Sequence, residues 1–285
     1  MDRARVTAEW AIVSDETMIV SRETGECWFL DLTERCDLGP FSVPMSGGGT
    51  RGSTGALLNG AVELGFAPDD GEMKQSTLSL PTIVSDLVFS YHNANRAPGH
   101  FRTAAKRFKQ LDRLDISSYF EIHAREETGH DRLAIKDLRA LGLPAERIVA
   151  NLVPEPLRPL CELFDEFAAS DYPIGCIGYS YCFEYIAAFK GEPEINAIAA
   201  LCPRGVDATR FVRTHSGLGS EAGHVDDIVE FVAGLPASDR AEIVKATYQT
   251  AKRLAKGVRC AESLSDAQVM AQIQAAAGPE IRLGL

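Results

Sequence analysis

Apolar residues follow two different rhythms along this chain of 285 residues. Up to about residue 76 they form short runs between turn residues, and these runs read EWAIVSD, TMIVSRE and ECWFLDL. Beyond that point apolar residues recur every three or four positions, which is the period of an amphipathic helix. The pattern predicts a small α+β domain over residues 1–76 and a helical domain over residues 77–285.

The N-terminal runs predict three short strands, with a hairpin turn at RETGE between the second and the third. They are followed by PMSGGGTRGSTG, which predicts a flexible surface loop, and then by ALLNGAVELGF, which predicts a short helix. The glycines of the loop are also compatible with phosphate binding, but the loop lacks the Gly-Lys-Ser/Thr ending of that motif. A surface loop is therefore the favoured interpretation.

Three stretches define the helical domain. The segment LPTIVSDLVFSYHNANRAPGHFRTAAKRF predicts two helices with a break near RAPG. DISSYFEIHAREETGHDRLAIKDLRALG predicts one long helix, which Asp115 or Ser117 can cap at its start and Gly142 can end. YPIGCIGYSYCFEYIAAF is apolar on most sides, which is typical of a buried helix.

The long central helix carries candidate metal ligands on its apolar stripe. At about 100° per residue, His123, Glu127 and His130 fall on the arc that apolar residues occupy before and after them. An unpaired buried carboxylate costs several kcal/mol, and a divalent ion compensates such a charge. Glu126 lies close in angle, so it stays an alternative to Glu127, which the E-x-x-H relation to His130 favours. The other interpretation is a solvated face with local His–Glu hydrogen bonds.

Two further segments add candidate ligands. Glu184 is the one charge in an apolar, aromatic run, where a buried carboxylate needs either a metal ion or a basic partner; the other interpretation is that Glu184 lies on an outward-facing side of its helix. His215, Glu221 and His224 follow, and Glu221-x-x-His224 repeats the E-x-x-H relation. The glycines of this stretch disfavour an unbroken helix, so His215 would reach the site through a bend. Its other interpretation is a surface histidine.

These candidates comprise four histidines and three carboxylates from three helices. Imidazole and carboxylate ligands without thiolate suit iron or manganese better than structural zinc. E-x-x-H pairs on facing helices are the ligand arrangement of di-iron carboxylate bundles. The set therefore predicts a site for two metal ions.

The composition excludes several classes of partner. The formal net charge is −11 and the pI is about 5.1, which disfavours nucleic-acid binding because that needs a basic face. No run of 18 apolar residues predicts a membrane span. MDRARVTAEWAIVSDE lacks a signal-peptide pattern, and the seven cysteines are scattered. We expect a cytoplasmic protein.

Three motifs together resemble the haem-oxygenase-like diiron oxidases and oxygenases, within the wider group that includes thiaminase-type proteins. EETGHDRLAIKDLRALGL is similar to the first ligand helix, YSYCFEYIAA to the middle one and HSGLGSEAGHVDDIVEFV to the third. The resemblance implies a haem-oxygenase-like helical bundle behind a small N-terminal α+β appendage. The third motif reads H-x5-E-x2-H rather than H-x3-D-x2-H, and His123 stands where many relatives have Glu, which implies a weaker second iron site.

The resemblance implies a non-haem diiron enzyme that uses two Fe(II) ions per chain and O2. Its expected substrate is a small amino-acid-like or a peptide- or carrier-bound metabolite in natural-product biosynthesis. The outcomes in the family include N-oxygenation, oxidative C–C cleavage and desaturation. The N-terminal segment resembles a small winged-helix-like peptide-binding domain, which would suit a peptide or carrier-bound substrate. A homodimer is expected because bundles of this group often dimerise.

Two other functions stay open from the sequence. One is a metal-free, thiaminase-type enzyme with Cys182 as nucleophile and Glu184 beside it. It would leave the four candidate histidines without a role, and a cysteine in an apolar helix more often serves packing. The other is a non-catalytic helical accessory protein with a vestigial site. Bound iron separates both from the diiron enzyme.

Overall fold

The computed structural model describes residues 8–33, 38–68, 78–216 and 223–278. Within these ranges the strands are β1 (Ala8–Ser14), β2 (Thr17–Arg22) and β3 (Cys27–Asp31). The α-helices are α1 (Arg51–Phe66), α2 (Leu80–Gln110), α3 (Leu114–Glu126), α4 (Asp131–Ala140), α5 (Ala145–Asn151), α6 (Arg158–Ala169), α7 (Gly175–Leu201), α8 (Arg210–His215), α9 (His224–Ala233), α10 (Ala237–Glu262) and α11 (Asp266–Ala277). The chain is therefore mainly helical with a small N-terminal sheet, as predicted.

The chain divides into two compact units. The first unit takes the described part of residues 1–69 together with residues 174–186 and 223–255. The second unit takes the described part of residues 70–173, 187–222 and 256–285. The predicted division into continuous domains at residue 76 stays a prediction.

The sheet of the first unit is antiparallel in the order β1-β2-β3. Trp10 of β1 pairs with Val20 of β2, which pairs with Trp28 of β3. Gly25 has a φ of +89° in the predicted hairpin turn, a value that glycine tolerates best. Helix α1 packs against all three strands. The three predicted strands are thereby confirmed.

Helix α1 begins earlier than the glycine-rich pattern predicts. Its first turn is closed by a capping box, in which Ser53 N–H donates to Thr50 Oγ1 at 3.1 Å and Thr50 N–H donates to Ser53 Oγ at 3.2 Å. The prediction of a loop as far as Gly55 is therefore wrong, because α1 starts at Arg51. The two hydroxyls satisfy amides that a run of glycines would leave open.

A buried ion pair holds the first unit together. Glu9 is 1% exposed and Arg240 is 0% exposed, and Arg240 Nε donates to Glu9 Oε1 at 2.5 Å. The second carboxylate oxygen of Glu9 accepts the hydroxyls of Ser53 at 2.5 Å and Thr54 at 2.6 Å. A buried ion pair is stable only when its remaining polar atoms are also satisfied, and this one meets that condition.

Helix α2 is the longest element of the second unit. It runs without a break from Leu80 to Gln110, although Pro98 lies inside it. The predicted break near RAPG is therefore wrong. Because α2 packs against α3, α4, α5, α6 and α11, burial of its apolar face compensates the hydrogen bond that proline removes.

The predicted long central helix is two helices. Helix α3 ends at Glu126 and α4 begins at Asp131, so the prediction of one continuous helix is wrong. Its start is also wrong, because α3 begins at Leu114 directly after Arg113. The predicted end is confirmed: Gly142 has a φ of +78° and donates to Arg139 O at 2.9 Å, which closes α4 as in a Schellman motif.

Helix α7 begins with the predicted buried segment. Tyr181 and Cys182 are fully buried, and Tyr179 is 2% exposed. Gly178 lets α7 approach α10 closely, because a Cβ there would lie 2.4 Å from Ile243 O. Within the described residues, no helix is both long and apolar enough to cross a membrane.

Candidate metal centre

A four-residue turn joins α3 to α4 and carries two of the candidate ligands. Glu127 follows the last residue of α3, and His130 precedes the first residue of α4. Gly129 lies between them with a φ of +99°, a left-handed value that ends the helical path. Thr128 Oγ1 donates back to Ala124 O at 2.6 Å and fixes the turn to α3. The spacing E-x-x-H thus spans a turn rather than a helical face.

The second unit brings Glu127, His130 and His215 together. Within the described residues, these three form a group in which one ligand atom of each lies within 4.8 Å of the others. The distance from His130 Nδ1 to Glu127 Oε2 is 3.0 Å, and that from His215 Nε2 to the same oxygen is 3.9 Å. The two imidazole rings are 4.9 Å apart and nearly perpendicular. Two elements, the α3–α4 turn and the end of α8, therefore meet at one carboxylate.

The charge of Glu127 is stabilised by the two histidines. Burial alone would raise the pKa of this carboxyl, but hydrogen bonds and charge interactions with His130 and His215 outweigh it and lower the pKa to about 2. Its side chain is 13% exposed, and those of the two histidines are each 15% exposed. Glu127 is thus an anion held in a nearly closed setting, which is the state that a metal ligand requires.

The ring of His215 is held in one orientation by its own helix. Its Nδ1 lies 3.0 Å from the backbone carbonyl of Phe211, which can only accept, so Nδ1 carries the proton. The Phe211 ring stacks on the imidazole with centroids 4.4 Å apart. With Nδ1 bonded to this carbonyl, Nε2 is the ring nitrogen that a metal ion would use, and it lies 3.9 Å from Glu127 Oε2.

His123 is placed outside this group of three. Its Nδ1 lies 3.5 Å from Glu126 Oε2, and its ring packs against that of Tyr119 with centroids 4.2 Å apart. Glu126 is 41% exposed, whereas Glu127 is nearly buried. The geometry therefore favours Glu127 over Glu126 as the carboxylate of the cluster, and it gives His123 a different acidic neighbour.

The first unit holds a separate pair of candidate ligands. His224 Nδ1 lies 4.0 Å from Glu184 Oε2, and their side chains are 19% and 10% exposed. Glu184 belongs to the apolar start of α7, and His224 is the first residue of α9, which follows Gly223 with a φ of +112°. Glu221 lies outside the described residues.

Cys182 has the properties of a packing residue. It is fully buried in α7, and burial raises the pKa of its thiol well above the usual range. A thiol acts as a nucleophile through its thiolate, which this environment disfavours. The geometry gives no support to Cys182 as the nucleophile of a metal-free enzyme.

Sequence reasoning missed two residues beside the cluster. Asp137 of α4 is fully buried, and its Oδ2 accepts the backbone N–H of Phe211 at 2.9 Å. A signal for Asp137 was present, because it lies two helical turns after His130 among apolar positions. Phe211 carries no such signal, since a backbone carbonyl has no sequence signature.

The three residues fit a metal ion. Ligand atoms bound to one ion at about 2.1 Å lie roughly 3 to 4 Å apart, which matches the separations from Glu127 Oε2. Two histidines and one carboxylate with open positions are the ligand set of non-haem Fe(II) oxygenases. An ion here would replace the proton that joins His130 to Glu127, as metal binding usually does.

Two solved structures resemble this chain. A domain of unknown function from Shewanella denitrificans matches with a TM-score of 0.57 and 18% identity, over 78% of this chain and 92% of its own. Its description assigns it a haem oxygenase-like fold. The present chain has that fold too. A TenA homologue from Pseudomonas syringae pv. tomato matches with a TM-score of 0.50 and 12% identity, over 79% of this chain and 98% of its own.

The haem oxygenase-like fold was the predicted fold class, and these two likenesses confirm it. No protein-family model matches the sequence, and no curated protein sequence matches it. At 18% and 12% identity the likenesses concern the fold. What the chain does must be argued from its own residues.

Proposed function

We propose that this protein is a non-haem iron oxidase or oxygenase that uses O2. The observation that carries the proposal is the group of Glu127, His130 and His215, whose ligand atoms lie within 4.8 Å of one another. The fold adds support, because it is shared with a TenA homologue and with a domain described as haem oxygenase-like. The first Fe(II) ion would bind to this group.

A second Fe(II) ion would bind to Glu184 and His224, which makes the full complement two ions per chain. The side chain of Glu184 is 10% exposed, so an ion would compensate a charge that is costly to bury. The 4.0 Å between Glu184 Oε2 and His224 Nδ1 leaves room for an ion between them. Bound iron supplies the electron transfers that O2 chemistry needs.

The residues of the second unit would contribute orientation and charge. Glu127 offers a carboxylate that stays ionised at neutral pH. Phe211 holds His215 with Nε2 3.9 Å from Glu127 Oε2, where it would bind an ion, and the low exposure of all three residues would limit the access of bulk water. The proposed substrate is a small amino-acid-like metabolite or one bound to a peptide or carrier.

The decisive experiment is anaerobic reconstitution with Fe(II), followed by a count of bound iron and by exposure to O2. We expect close to two irons per chain and an absorption change on O2 exposure. Both the iron bound at the cluster and the absorption change should be lost in His130→Ala. A correctly folded protein that binds no iron would overturn the proposal and favour a metal-free enzyme or an accessory protein.

A further inference from the structure

Asp137 is a fully buried carboxylate that the proposed chemistry does not use. Its Oδ1 accepts from Arg210 at 3.0 Å, and its Oδ2 accepts the Phe211 N–H at 2.9 Å. Both donors are the first residues of α8, while Asp137 itself belongs to α4. The carboxylate therefore fastens the start of α8 to α4.

The two helices that Asp137 joins each carry one histidine of the cluster. His130 precedes α4, and His215 is the last residue of α8. Phe211 links Asp137 to His215 directly, because its N–H donates to Asp137 and its carbonyl accepts from His215 Nδ1 at 3.0 Å. Phe211 is therefore the one residue between the Asp137 carboxylate and the His215 imidazole in this series of hydrogen bonds.

A short helix such as α8 is only marginally stable by itself, so its placement depends on contacts with its neighbours. Among these contacts, the hydrogen bonds to the Asp137 carboxylate are charge-assisted, and the carboxylate is excluded from water. The guanidinium of Arg210 also donates to the backbone carbonyl of Asp207, so the same group fixes the segment that precedes α8. The position of His215 thus depends on a salt bridge and an amide at the other end of its helix.

We propose that Asp137 is a positioning residue, which sets the location and ring orientation of His215 through α8 so that His215 meets Glu127 and His130. The part of the proposal that concerns metal affinity rests on the proposed function. The part that concerns His215 itself does not, because it can be read in the metal-free protein.

The test uses Asp137→Ala, which removes both acceptors, and Asp137→Asn, which keeps one. The first readout is the nitrogen chemical shifts of the His215 ring in the metal-free full chain. We expect one sharp set of His215 shifts in the wild type, displaced or broadened resonances in Asp137→Ala because the ring takes more than one position, and an intermediate state in Asp137→Asn. The second readout is the dissociation constant for Co(II), followed by its visible absorption. Loss of an outer-shell partner should raise the dissociation constant for Co(II) by roughly 10- to 100-fold.

Two controls separate positioning from general loss of stability. Asp165→Asn makes the same chemical change beside another histidine, since Asp165 Oδ1 lies 2.7 Å from His100 Nε2. Leu143→Ala removes a buried side chain of the same unit. We expect both controls to leave the His215 shifts and the Co(II) affinity as in the wild type.

Each outcome decides one of the two proposals. Unchanged His215 shifts in both Asp137 variants would overturn the role of Asp137, and so would equal losses of affinity in Leu143→Ala and Asp137→Ala. Altered His215 shifts together with a wild type that binds no Co(II) would support the positioning role and count against the metal site. If Asp137→Ala does not fold, the comparison of Asp137→Asn with Asp165→Asn gives the result.

Discussion

The two units hold their candidate ligands in different ways. In the second unit, Glu127 is 3.0 Å from His130, and the histidines hold the pKa of its carboxyl at about 2. In the first unit, Glu184 and His224 are 4.0 Å apart, which is beyond hydrogen-bond distance. Glu127 and His130 are therefore joined by a hydrogen bond before a metal binds, whereas Glu184 and His224 leave room for an ion but are not hydrogen-bonded to each other. The comparison leads us to expect a tight and a loose metal site in one chain.

The ligands also differ in what supports them. The cluster is built at helix ends and a turn, where His215 is held by Phe211 and Thr128 is tied to Ala124. The pair joins Glu184, which lies inside α7 where the packing around Cys182 is close and apolar, to His224, the first residue of α9. Helix ends place polar groups precisely through backbone hydrogen bonds, and an apolar helix offers few such partners.

The largest effect on stability should come from the first unit. Arg240→Met leaves Glu9 buried without its cation, and loss of one partner of a buried ion pair costs about 3–5 kcal/mol. Urea denaturation followed by circular dichroism would measure the change. The Co(II) affinity of the remaining folded protein should stay near that of the wild type, because the cluster uses none of these residues. A large loss of affinity in folded protein would show instead that the cluster depends on this ion pair.

The next largest effect should distinguish the two metal sites. Glu127→Gln keeps the shape of the side chain but removes its charge, and the loss of a ligand should exceed the roughly 100-fold effect of an outer-shell change. We expect this variant to lose the tighter ion and Glu184→Gln to lose the looser one. Isothermal titration with Co(II) and metal analysis after dialysis would show which ion each variant has lost.

The matched pair of variants is a check on the comparison itself. If Glu184→Gln removed the tighter ion and Glu127→Gln the looser one, the order of affinities would be reversed. The conclusion that preorganisation by His130 and His215 sets affinity would then be wrong. Loss of both ions in either variant would instead indicate that the two bind cooperatively.

Much of the fold could be predicted from the sequence, and the errors have physical causes. The strands, the buried start of α7 and the end of α4 at Gly142 follow from local patterns of period and turn residues. The break predicted in α2 did not occur, because tertiary packing supports the helix across Pro98. The break at Gly129 was not predicted, because one glycine inside a helical pattern is often tolerated.

The site could be predicted only where its residues are neighbours in sequence. Glu127-x-x-His130 was recognisable because residues three apart approach each other both in a helix and in a turn. The approach of His215 to Glu127 joins positions 88 residues apart, and no local pattern encodes it. His123 was predicted on the same face as Glu127 and His130, but that prediction assumed one continuous helix. The turn between α3 and α4 removes His130 from that helix, and His123 lies beside Glu126 instead.

A smaller effect should come from the turn of the cluster. Gly129 and Gly142 both have positive φ, and a Cβ on either would meet no atom within 4 Å. Alanine at either position should therefore cost about 1–2 kcal/mol through backbone strain alone. Only Gly129→Ala should also weaken Co(II) binding, by up to about tenfold, because relief of the strain moves Glu127 relative to His130. Thermal unfolding and titration of both variants would test this, and equal affinities would contradict it.

The smallest effect should come from His92, a partly buried histidine of the second unit whose ring lies against the backbone carbonyl of Leu152. Burial lowers the pKa of His92 below its usual 6.5, despite the carbonyl of Leu152 that accepts from its Nε2 at 2.7 Å, and Arg96 lowers it further. Between the lowered pKa and 6.5 the unfolded chain binds more protons than the folded chain, so stability should fall as the pH falls through that window.

His92→Gln can keep the donor to Leu152 but does not titrate, so its free energy of unfolding should fall less between pH 7 and pH 5 than that of the wild type. Urea titrations at several pH values would measure the difference, and parallel curves would show that His92 is not the group responsible. His92 thus provides the contrast for Glu127, whose charge is stabilised by its partners, whereas the charged form of His92 is disfavoured by its surroundings.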